Sequence, residues 1–414
     1  MTLHPRESRF GRREFLGRSA VGLVGVSSLS TLLAACGGGD GGSSASDLEI
    51  ATPQNPVTQP LFDDNPMIAS GLDPESGTLK IYNWNGYLDP KIKKGFAKEY
   101  GVKVEETFFN TTDEAVQKIS TGAVEYDVFF PTEDRIGRLV LGKRLQPLNP
   151  SYIPNLKNVW PSLQDPWYDK GSQYTVPYMT WTTGIGYRAD KVAKTPRDYA
   201  NPYEIYWDEA NRGKTYLLDD SRDAPAQMLL KNGISNVNTE DPDDIALAKE
   251  ELKSLIDAVN IKLSTDDYTN VPEGKAWVHE MWSGSAISAQ WYLPDGVDAD
   301  ALGYWFPGTG HGVIGSDMIA VPTNAKNPVL AHHFLNYLLD NENGYSNFVN
   351  YVGYQPPLTS LDPDKLVADG VVAKNLRTAI VRESDFDTGL PLTELTANGQ
   401  TAWQNAWAEF KAGV

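Results

Sequence analysis

The sequence has one cysteine and five histidines among its 414 residues, and these low counts restrict its chemistry. A single cysteine excludes an intramolecular disulfide, so stability must come from an ordinary hydrophobic core. No two histidines stand at the i, i+4 spacing of a helical zinc pair, and His279-Glu280 lacks the second histidine of such a motif. We therefore predict no metal site and no cofactor.

The motifs of common enzymes are missing as well. Gly213-Lys214-Thr215 resembles the end of a phosphate-binding loop, but Asp208 stands where the leading glycine is required, so the backbone cannot cradle a phosphate. The chain has no Gly-x-Ser-x-Gly nucleophile elbow. We predict that the protein is not an enzyme.

Long hydrophobic runs are scarce, and the one candidate, residues 20–35, is shorter than the about 20 residues that a transmembrane helix needs. It follows a twin-arginine pattern at Arg12-Arg13 and ends in Leu33-Ala34-Ala35-Cys36, a small-residue cleavage site. We predict a signal peptide over residues 1–35, export, and lipid attachment at Cys36 as the only membrane contact. A buried free cysteine in an uncleaved chain is the alternative.

The charge is strongly negative. The chain carries a net −18, and residues 1–35 hold five arginines against two glutamates, so the remainder carries −21. Such a surface makes nucleic acid and anionic membranes poor partners and attracts cationic solutes over about a Debye length. Solubility explains the acidity equally well, so charge alone does not select a ligand.

The organisation of the chain changes at Leu79. Residues 36–78 contain no lysine or arginine and are rich in Gly, Ser, Pro, Asn and Asp, which predicts a flexible tether. From Leu79 onward, strand and helix patterns alternate, as in an α/β domain with a parallel sheet. The clearest helices begin at Asp89-Pro90 and Asp241-Pro242, each with an N-cap aspartate followed by proline.

Several motifs, in order, resemble those of the extracellular solute-binding proteins of spermidine/putrescine transporters, over residues 79–413. These motifs are Tyr82-Asn83-Trp84, Tyr126-Asp127 through Pro131-Thr132, Asp219-Asp220-Ser221-Arg222-Asp223, Trp282-Ser283-Gly284-Ser285-Ala286, Ala320-Val321-Pro322-Thr323-Asn324-Ala325-Lys326-Asn327 and Gly353-Tyr354.

The resemblance implies an α/β, two-lobed periplasmic-binding-protein fold with a ligand cleft between the lobes and crossing hinge strands. We expect lobe 1 over residues 79–183 and 317–362, lobe 2 over residues 184–316 and 363–414, and crossings near residues 180–184 and 313–317. It also implies a monomer that delivers a polyamine to ABC permease subunits. Closure of the lobes holds the ligand away from water.

A polyamine is an apolar chain with ammonium groups, so its site needs carboxylates and aromatic walls. The resemblance assigns the carboxylates to Asp220, Asp223 and Asp317. It assigns the remaining site positions to the aromatic residues Trp84, Tyr87, Trp282 and Tyr354, and to the neutral residues Asn85 and Thr132.

The sequence departs from the family pattern at three positions. Asp134 replaces a tyrosine, Gly315 replaces a tryptophan two residues before Asp317, and Gly86 replaces an acidic residue. We therefore expect a thinner aromatic box on two sides, with one carboxylate moved to Asp134. Trp181, Trp291 and Tyr292 are candidates for refilling the aromatic surface.

Local sequence leaves alternatives open for these residues. Trp84 suits a core and Trp282 a strand end. Either Asp219 or Asp220 suits a helix N-cap, and Asp134 suits a first helical turn beside Arg135. For the whole protein, the alternatives are a binder of another small solute, such as an amino-acid derivative or a quaternary amine, and a surface sensor lipoprotein without a transporter.

Overall fold

The computed structural model describes residues 49–122, 124–308 and 311–414. The predicted signal peptide and the predicted lipid attachment at Cys36 lie outside these residues. Among the described helices, none combines the length and the apolar character that crossing a membrane requires.

The described chain alternates strands and helices, as the sequence pattern predicts. Up to the first crossing strand, the elements are β1 (Thr78–Trp84), α1 (Pro90–Tyr100), β2 (Lys103–Phe109), α2 (Thr112–Thr121), β3 (Val128–Phe129), α3 (Ile136–Leu141), α4 (Pro161–Gln164) and β4 (Thr175–Arg188). From there to the second crossing strand, the elements are β5 (Thr215–Leu217), α5 (Asp223–Lys231), α6 (Pro242–Val259), β6 (Lys262–Leu263), α7 (Asp267–Asn270), β7 (Val278–Trp282), α8 (Ser283–Ala289), β8 (Leu302–Trp305) and β9 (Val313–Ala320). The last are α9 (Pro328–Leu338), α10 (Asn341–Asn347), a π-helix (Phe348–Val352), α11 (Pro363–Ala368), β10 (Leu390–Pro391) and α12 (Ala397–Lys411).

The two helix starts read from the sequence are confirmed. The Asp89 side chain accepts a hydrogen bond from the Lys91 backbone N–H at the start of α1, and Gly101 ends that helix with φ of +67°. Asp241 caps α6 in the same way. In each case the aspartate pairs a backbone donor that has no partner within the helix.

The strands form one sheet in the order β2-β1-β3-β9-β4-β7-β5-β6, with β10 beside β9 and β8 beside β4. Parallel pairs lie at both ends: β1 pairs with β2 and β3, and β5 pairs with β6 and β7. The central pair, β4 and β9, is antiparallel. Each end of the sheet is therefore a parallel α/β unit, and the two units are joined through the central strands.

β4 and β9 are the crossing strands. The first residues of β4 pair with the last residues of β9, beside β3, whereas Thr183 pairs with Val313 and continues into the ladder with β7. Both strands run from one α/β unit into the other, which confirms the predicted two-lobed fold with crossing strands. The expected lobe boundaries at residues 183 and 317 fall inside these two strands.

The cores of the two lobes are distinct at the outer ends of the sheet. In lobe 1, Tyr82 and Phe129 pack with the buried faces of α2 and α3. In lobe 2, Leu252 of α6 packs with Trp403 and Phe410 of α12. A larger apolar cluster includes residues from both lobes and from the crossing strands. The crossing strands are thus held in a packed interior.

The tether was predicted over residues 36–78, of which residues 36–48 lie outside the described residues; the structure corrects the described part. Residues 49–77, the N-terminal strap, pack on lobe 1 instead of projecting from it. Within the strap, Val57 is buried, Gln59 donates a hydrogen bond to the Tyr168 carbonyl (2.8 Å), and Asn65 donates one to the Leu145 carbonyl (2.8 Å). The low-apolar composition suggested a solvated chain, but scattered side chains such as these satisfy buried backbone groups of the body.

Candidate functional site

The centre of the candidate site is Asp317, on β9 where the strands cross. Asp317 is buried, with 7% of the residue exposed. Tyr87 Oη donates a hydrogen bond to Oδ2 (2.5 Å), and Trp181 Nε1 donates a longer one to Oδ1 (3.4 Å). No lysine or arginine of the described residues forms an ion pair with Asp317. Burial raises the pKa of this carboxyl to about 6, because the charged form loses its hydration.

Tyr87 reaches Asp317 from the turn between β1 and α1. Gly86 precedes it with φ of +77°, a conformation that favours glycine, so this residue shapes the turn. The Tyr87 ring packs edge-on against Tyr178 (centroids 5.4 Å apart) and Tyr354 (5.2 Å). Tyr178 Oη donates to the Tyr87 carbonyl (2.6 Å), which fixes the turn. Burial holds the pKa of Tyr87 well above its usual value, so its hydroxyl stays a donor.

Asp223 is the matching carboxylate in lobe 2, at the first residue of α5. It is buried, and Thr183 Oγ1 of β4 donates to its Oδ1 (2.5 Å). Asp220 accepts hydrogen bonds from the Arg222 and Asp223 backbone N–H groups (2.8 and 2.9 Å), so Asp220 has the geometry of a capping residue. Burial, and then repulsion from Asp220, raises the pKa of Asp223 to about 8.

Trp282 and Tyr354 are two of the aromatic residues predicted for the candidate site. Both are half-buried and pack against the cluster that contains Trp181. A Cβ atom at Gly284 would lie 2.2 Å from Tyr354 Cγ, so the tyrosine ring rests directly on this glycine. Ser285 Oγ and Tyr354 Oη are hydrogen-bonded (3.0 Å). The Trp282-Ser-Gly-Ser motif thus provides one aromatic side chain and the surface that holds the other.

Asp267 belongs to this group but was missed by the sequence analysis. It is fully buried at the start of α7, where its carboxylate accepts hydrogen bonds from the backbone N–H groups of Trp282 (3.2 Å) and Tyr268 (2.9 Å). Burial raises its pKa to about 7. Its local sequence is an ordinary acidic turn, so nothing short of the tertiary fold distinguishes it. Thr183, also missed, stands in a strand without a motif.

Of the other predicted residues, two lie near the site, Trp84 and Thr132, and one, Asn85, makes no hydrogen bond to it in the described chain. Trp84 is half-buried with its ring 4.5 Å from Phe109, and its buried Nε1 has no hydrogen-bond partner in the described residues. Thr132 pairs with Asp317 across an antiparallel bridge, so both remain near the centre. Asn85, in contrast, is exposed to solvent and contacts none of the residues above through a hydrogen bond in the described chain.

Asp134 does not replace the missing carboxylate in a simple way. Thr132 Oγ1 donates to its Oδ1 (2.6 Å), and Arg135 Nη1 lies 3.4 Å from its Oδ2. The structure therefore places a local cation beside this acid, in agreement with the alternative that Asp134 is a first-turn helical residue next to Arg135.

The lobes touch beyond the carboxylate sites. Arg138 of α3 forms an ion pair with Glu394 (2.7 Å), which precedes α12. Arg135 Nη1 donates to Gln400 (3.4 Å), and Gln404 donates to Asp113 (3.2 Å). Because α12 packs on lobe 2, these contacts bridge the lobes. Within the described residues, no group of three His, Cys, Asp or Glu side chains could hold a metal ion.

The chain matches a family model over residues 91–375, and that model is described as bacterial extracellular solute-binding protein. A putrescine/cadaverine-binding protein of Pseudomonas aeruginosa is 27% identical over 80% of this chain and 93% of its own length. A spermidine/putrescine-binding periplasmic protein of Escherichia coli is 28% identical over 80% of this chain and 87% of its own length.

Solved structures show the same fold. A spermidine/putrescine ABC transporter substrate-binding protein of Streptococcus pneumoniae superposes with a TM-score of 0.65 at 23% identity, covering 82% of this chain and 99% of its own. A lipoprotein of Treponema pallidum superposes with a TM-score of 0.67 at 21% identity, covering 80% and 99%. These matches confirm the family resemblance and the fold class drawn from the sequence.

Proposed function

The chain belongs to the family of bacterial extracellular solute-binding proteins, and from this premise we propose that its cleft captures a small polyamine for an ABC importer. Two relatives, at 27% and 28% identity, are named for binding putrescine with cadaverine or spermidine. The matching family model describes a solute-binding protein, which supports a binding role and not an enzymatic one for this chain.

The observation that carries the proposal is the pair of buried carboxylates, Asp317 and Asp223, which receive hydrogen bonds but no ion pair from the described residues. Burying a carboxylate without a cation is costly, and the raised pKa of each group reflects that cost. A bound ammonium group supplies the missing charge and restores the ionised form. The cleft therefore favours a ligand with separated cationic groups.

The aromatic side chains suit the rest of such a ligand. Trp84, Tyr87, Trp282 and Tyr354 offer apolar surface to methylene groups, and each ring over an ammonium group contributes roughly 0.5–2 kcal/mol. Thr132 is a neutral neighbour, and Asp220 acts mainly by raising the negative potential around Asp223. We retain Asn85 and Asp134 as candidates at the edge of the site.

Delivery and anchoring complete the proposal. The protein acts as a monomer, closes its lobes around the ligand, and presents the closed form to permease subunits. It is exported through the signal peptide over residues 1–35 and is lipid-anchored at Cys36 on the outer face of the membrane. Incorporation of labelled fatty acid by the wild-type protein, and its loss in Cys36→Ala, tests the anchor.

The test of ligand binding uses protein that has been unfolded and refolded to remove any carried-over solute. Isothermal titration calorimetry with putrescine, cadaverine, spermidine, spermine and agmatine should give heat and a raised melting temperature for at least one amine. N-acetylputrescine, which lacks one ammonium group, should bind much more weakly. If all five amines give no heat and no thermal stabilisation, the proposal is refuted.

One observation favours a second candidate, a binder of an amino-acid derivative or a quaternary amine. Arg135 and Arg222 are both buried near Asp134 and Asp220, and their positive charges reduce the need for several ammonium groups. Competition between putrescine and such ligands distinguishes the two candidates, since the better ligand displaces the other.

A further inference from the structure

Trp181 and Gly315 face each other across the two crossing strands. They are directly paired in the antiparallel ladder between β4 and β9. A Cβ atom at Gly315 would lie 2.4 Å from Trp181 Cζ2 and 2.8 Å from Cε2 and Cη2. The six-membered part of the indole therefore occupies the space where a side chain at position 315 would stand. The backbone of Gly315 is not in the left-handed region, so space and not backbone conformation demands glycine here.

The same indole contacts the central carboxylate. Its Nε1 donates to Asp317 Oδ1 (3.4 Å), while Tyr87 donates to Oδ2, so each carboxylate oxygen has one protein donor. Trp181 is only 9% exposed and packs with Val313 and Leu392. These contacts hold the indole in place, and its N–H limits how the Asp317 carboxylate can turn.

Trp181 also links the two carboxylates along β4. Side chains two residues apart on a strand lie on the same face, about 7 Å apart. Trp181 and Thr183 have this spacing; the first holds Asp317 and the second holds Asp223. A ligand that reaches both carboxylates must pass along this face, beside the indole.

We propose that Trp181 is a positioning and specificity residue of this cleft, made possible by Gly315. Its N–H orients Asp317, and its ring is the wall along which the methylene groups between two ammonium groups lie. The ring thereby selects the length of the ligand that spans the two carboxylates. This inference rests on the proposed function, because it concerns how the same cleft chooses among amines.

The test is a double-mutant cycle measured by calorimetry, with putrescine, cadaverine and spermidine as probes. Trp181→Ala should weaken binding of the preferred amine about 10- to 100-fold and should change the ratio of dissociation constants among the three amines. Gly315→Ala should weaken binding about 10-fold, because its methyl group displaces the indole. In the Trp181→Ala background, Gly315→Ala should have almost no further effect.

Two further variants separate binding from folding. Trp181→Phe keeps an aromatic wall but removes the N–H, so it should lose about 3- to 10-fold in affinity and keep the order of affinities among the three amines. It also replaces the Trp181→Ala variant in the test if that variant does not fold. Trp160→Phe, at a buried tryptophan of lobe 1, is the matched control and should change neither affinity nor preference.

The possible failures are distinguishable. A wild-type protein that binds none of the three amines refutes the proposed function, and this inference with it. A wild-type protein that binds, together with a folded Trp181 variant that keeps both affinity and the ratio of dissociation constants, refutes the inference alone. Equal effects of Gly315→Ala in both backgrounds would also overturn it, since the glycine would then act independently of the indole.

Discussion

Replacing Asp317 by asparagine removes the buried charge at the crossing of β4 and β9 and nearly preserves the shape of the side chain. In the wild-type protein, burial raises the pKa of this carboxyl from 3.8 to about 6. Because one pKa unit corresponds to about 1.36 kcal/mol, the ionised carboxylate costs the ligand-free fold about 3 kcal/mol at pH 8. Asparagine removes this cost.

The same substitution leaves one hydrogen-bond donor without an acceptor. The amide oxygen can accept from Tyr87 or from Trp181, but the amide nitrogen can accept from neither. An unpaired buried donor costs about 1–3 kcal/mol, which offsets most of the gain. We therefore expect the ligand-free Asp317→Asn protein to be as stable as the wild type or slightly more stable at pH 8.

Ligand binding should respond in the opposite direction. Removing one partner of a buried, hydrogen-bonded charge pair costs about 2–5 kcal/mol, which is roughly a 30- to 5,000-fold loss of affinity. Thermal unfolding and calorimetry at pH 8 measure the two effects separately, and Asp295→Asn in an exposed loop is the matched control. An Asp317→Asn protein with unchanged amine affinity would show that Asp317 does not contact the ligand.

Three other perturbations test the site and the fold. Amine affinity should rise from pH 5.5 to pH 8, with release of protons on binding, because Asp317 and Asp223 hold protons in the ligand-free cleft at pKa values of about 6 and 8. Calorimetry in two buffers of different ionisation enthalpy measures the number of protons released. An affinity that does not depend on pH would contradict the assignment of these two carboxylates to the ligand. Gly284→Ala should weaken binding about 10-fold or more by displacing the Tyr354 ring, whereas Gly308→Ala, in open space, should have no effect. Asn65→Ala should lower the free energy of unfolding by about 1–3 kcal/mol, because the buried Leu145 carbonyl that accepts from Asn65 loses its partner. An unchanged denaturant unfolding curve would show that this contact of the strap adds no stability.

The protonation of the cleft also affects stability without ligand. A buried carboxyl with a raised pKa keeps its proton to a higher pH in the folded state than in the unfolded state. Since deprotonation then favours the unfolded state, the ligand-free fold should lose stability as the pH rises from about 4 to 8. A bound cation reverses this trend, since it stabilises the ionised form. Ligand-induced stabilisation should therefore be larger at pH 8 than at pH 5.5.

The local sequence by itself determined much of the architecture. The alternation of strand and helix patterns gave the α/β class, and the Asp-Pro helix starts at residues 89 and 241 were correct because N-capping depends on neighbouring residues only. The ordered motifs identified the family and pointed to Asp317, Asp223 and Tyr87. In the fold, Tyr87 is hydrogen-bonded to Asp317, and Asp223 is hydrogen-bonded to Thr183 of β4. The fold class and the two helix starts were predicted correctly because each rests on local geometry or on a run of adjacent residues. The ligand-binding roles of Asp317, Asp223 and Tyr87 stay predictions.

Only the tertiary structure decided the contacts that join distant segments. Trp181 occupies the space left by Gly315 because β4 and β9 pair in a particular register, and no local pattern specifies that register. Asp267 joins the site through the fold of lobe 2, while the strap packs on lobe 1 through a few scattered side chains. The sequence alone thus determined an α/β solute-binding protein, and the pairing of its crossing strands decided which aromatic side chain stands beside its central carboxylate.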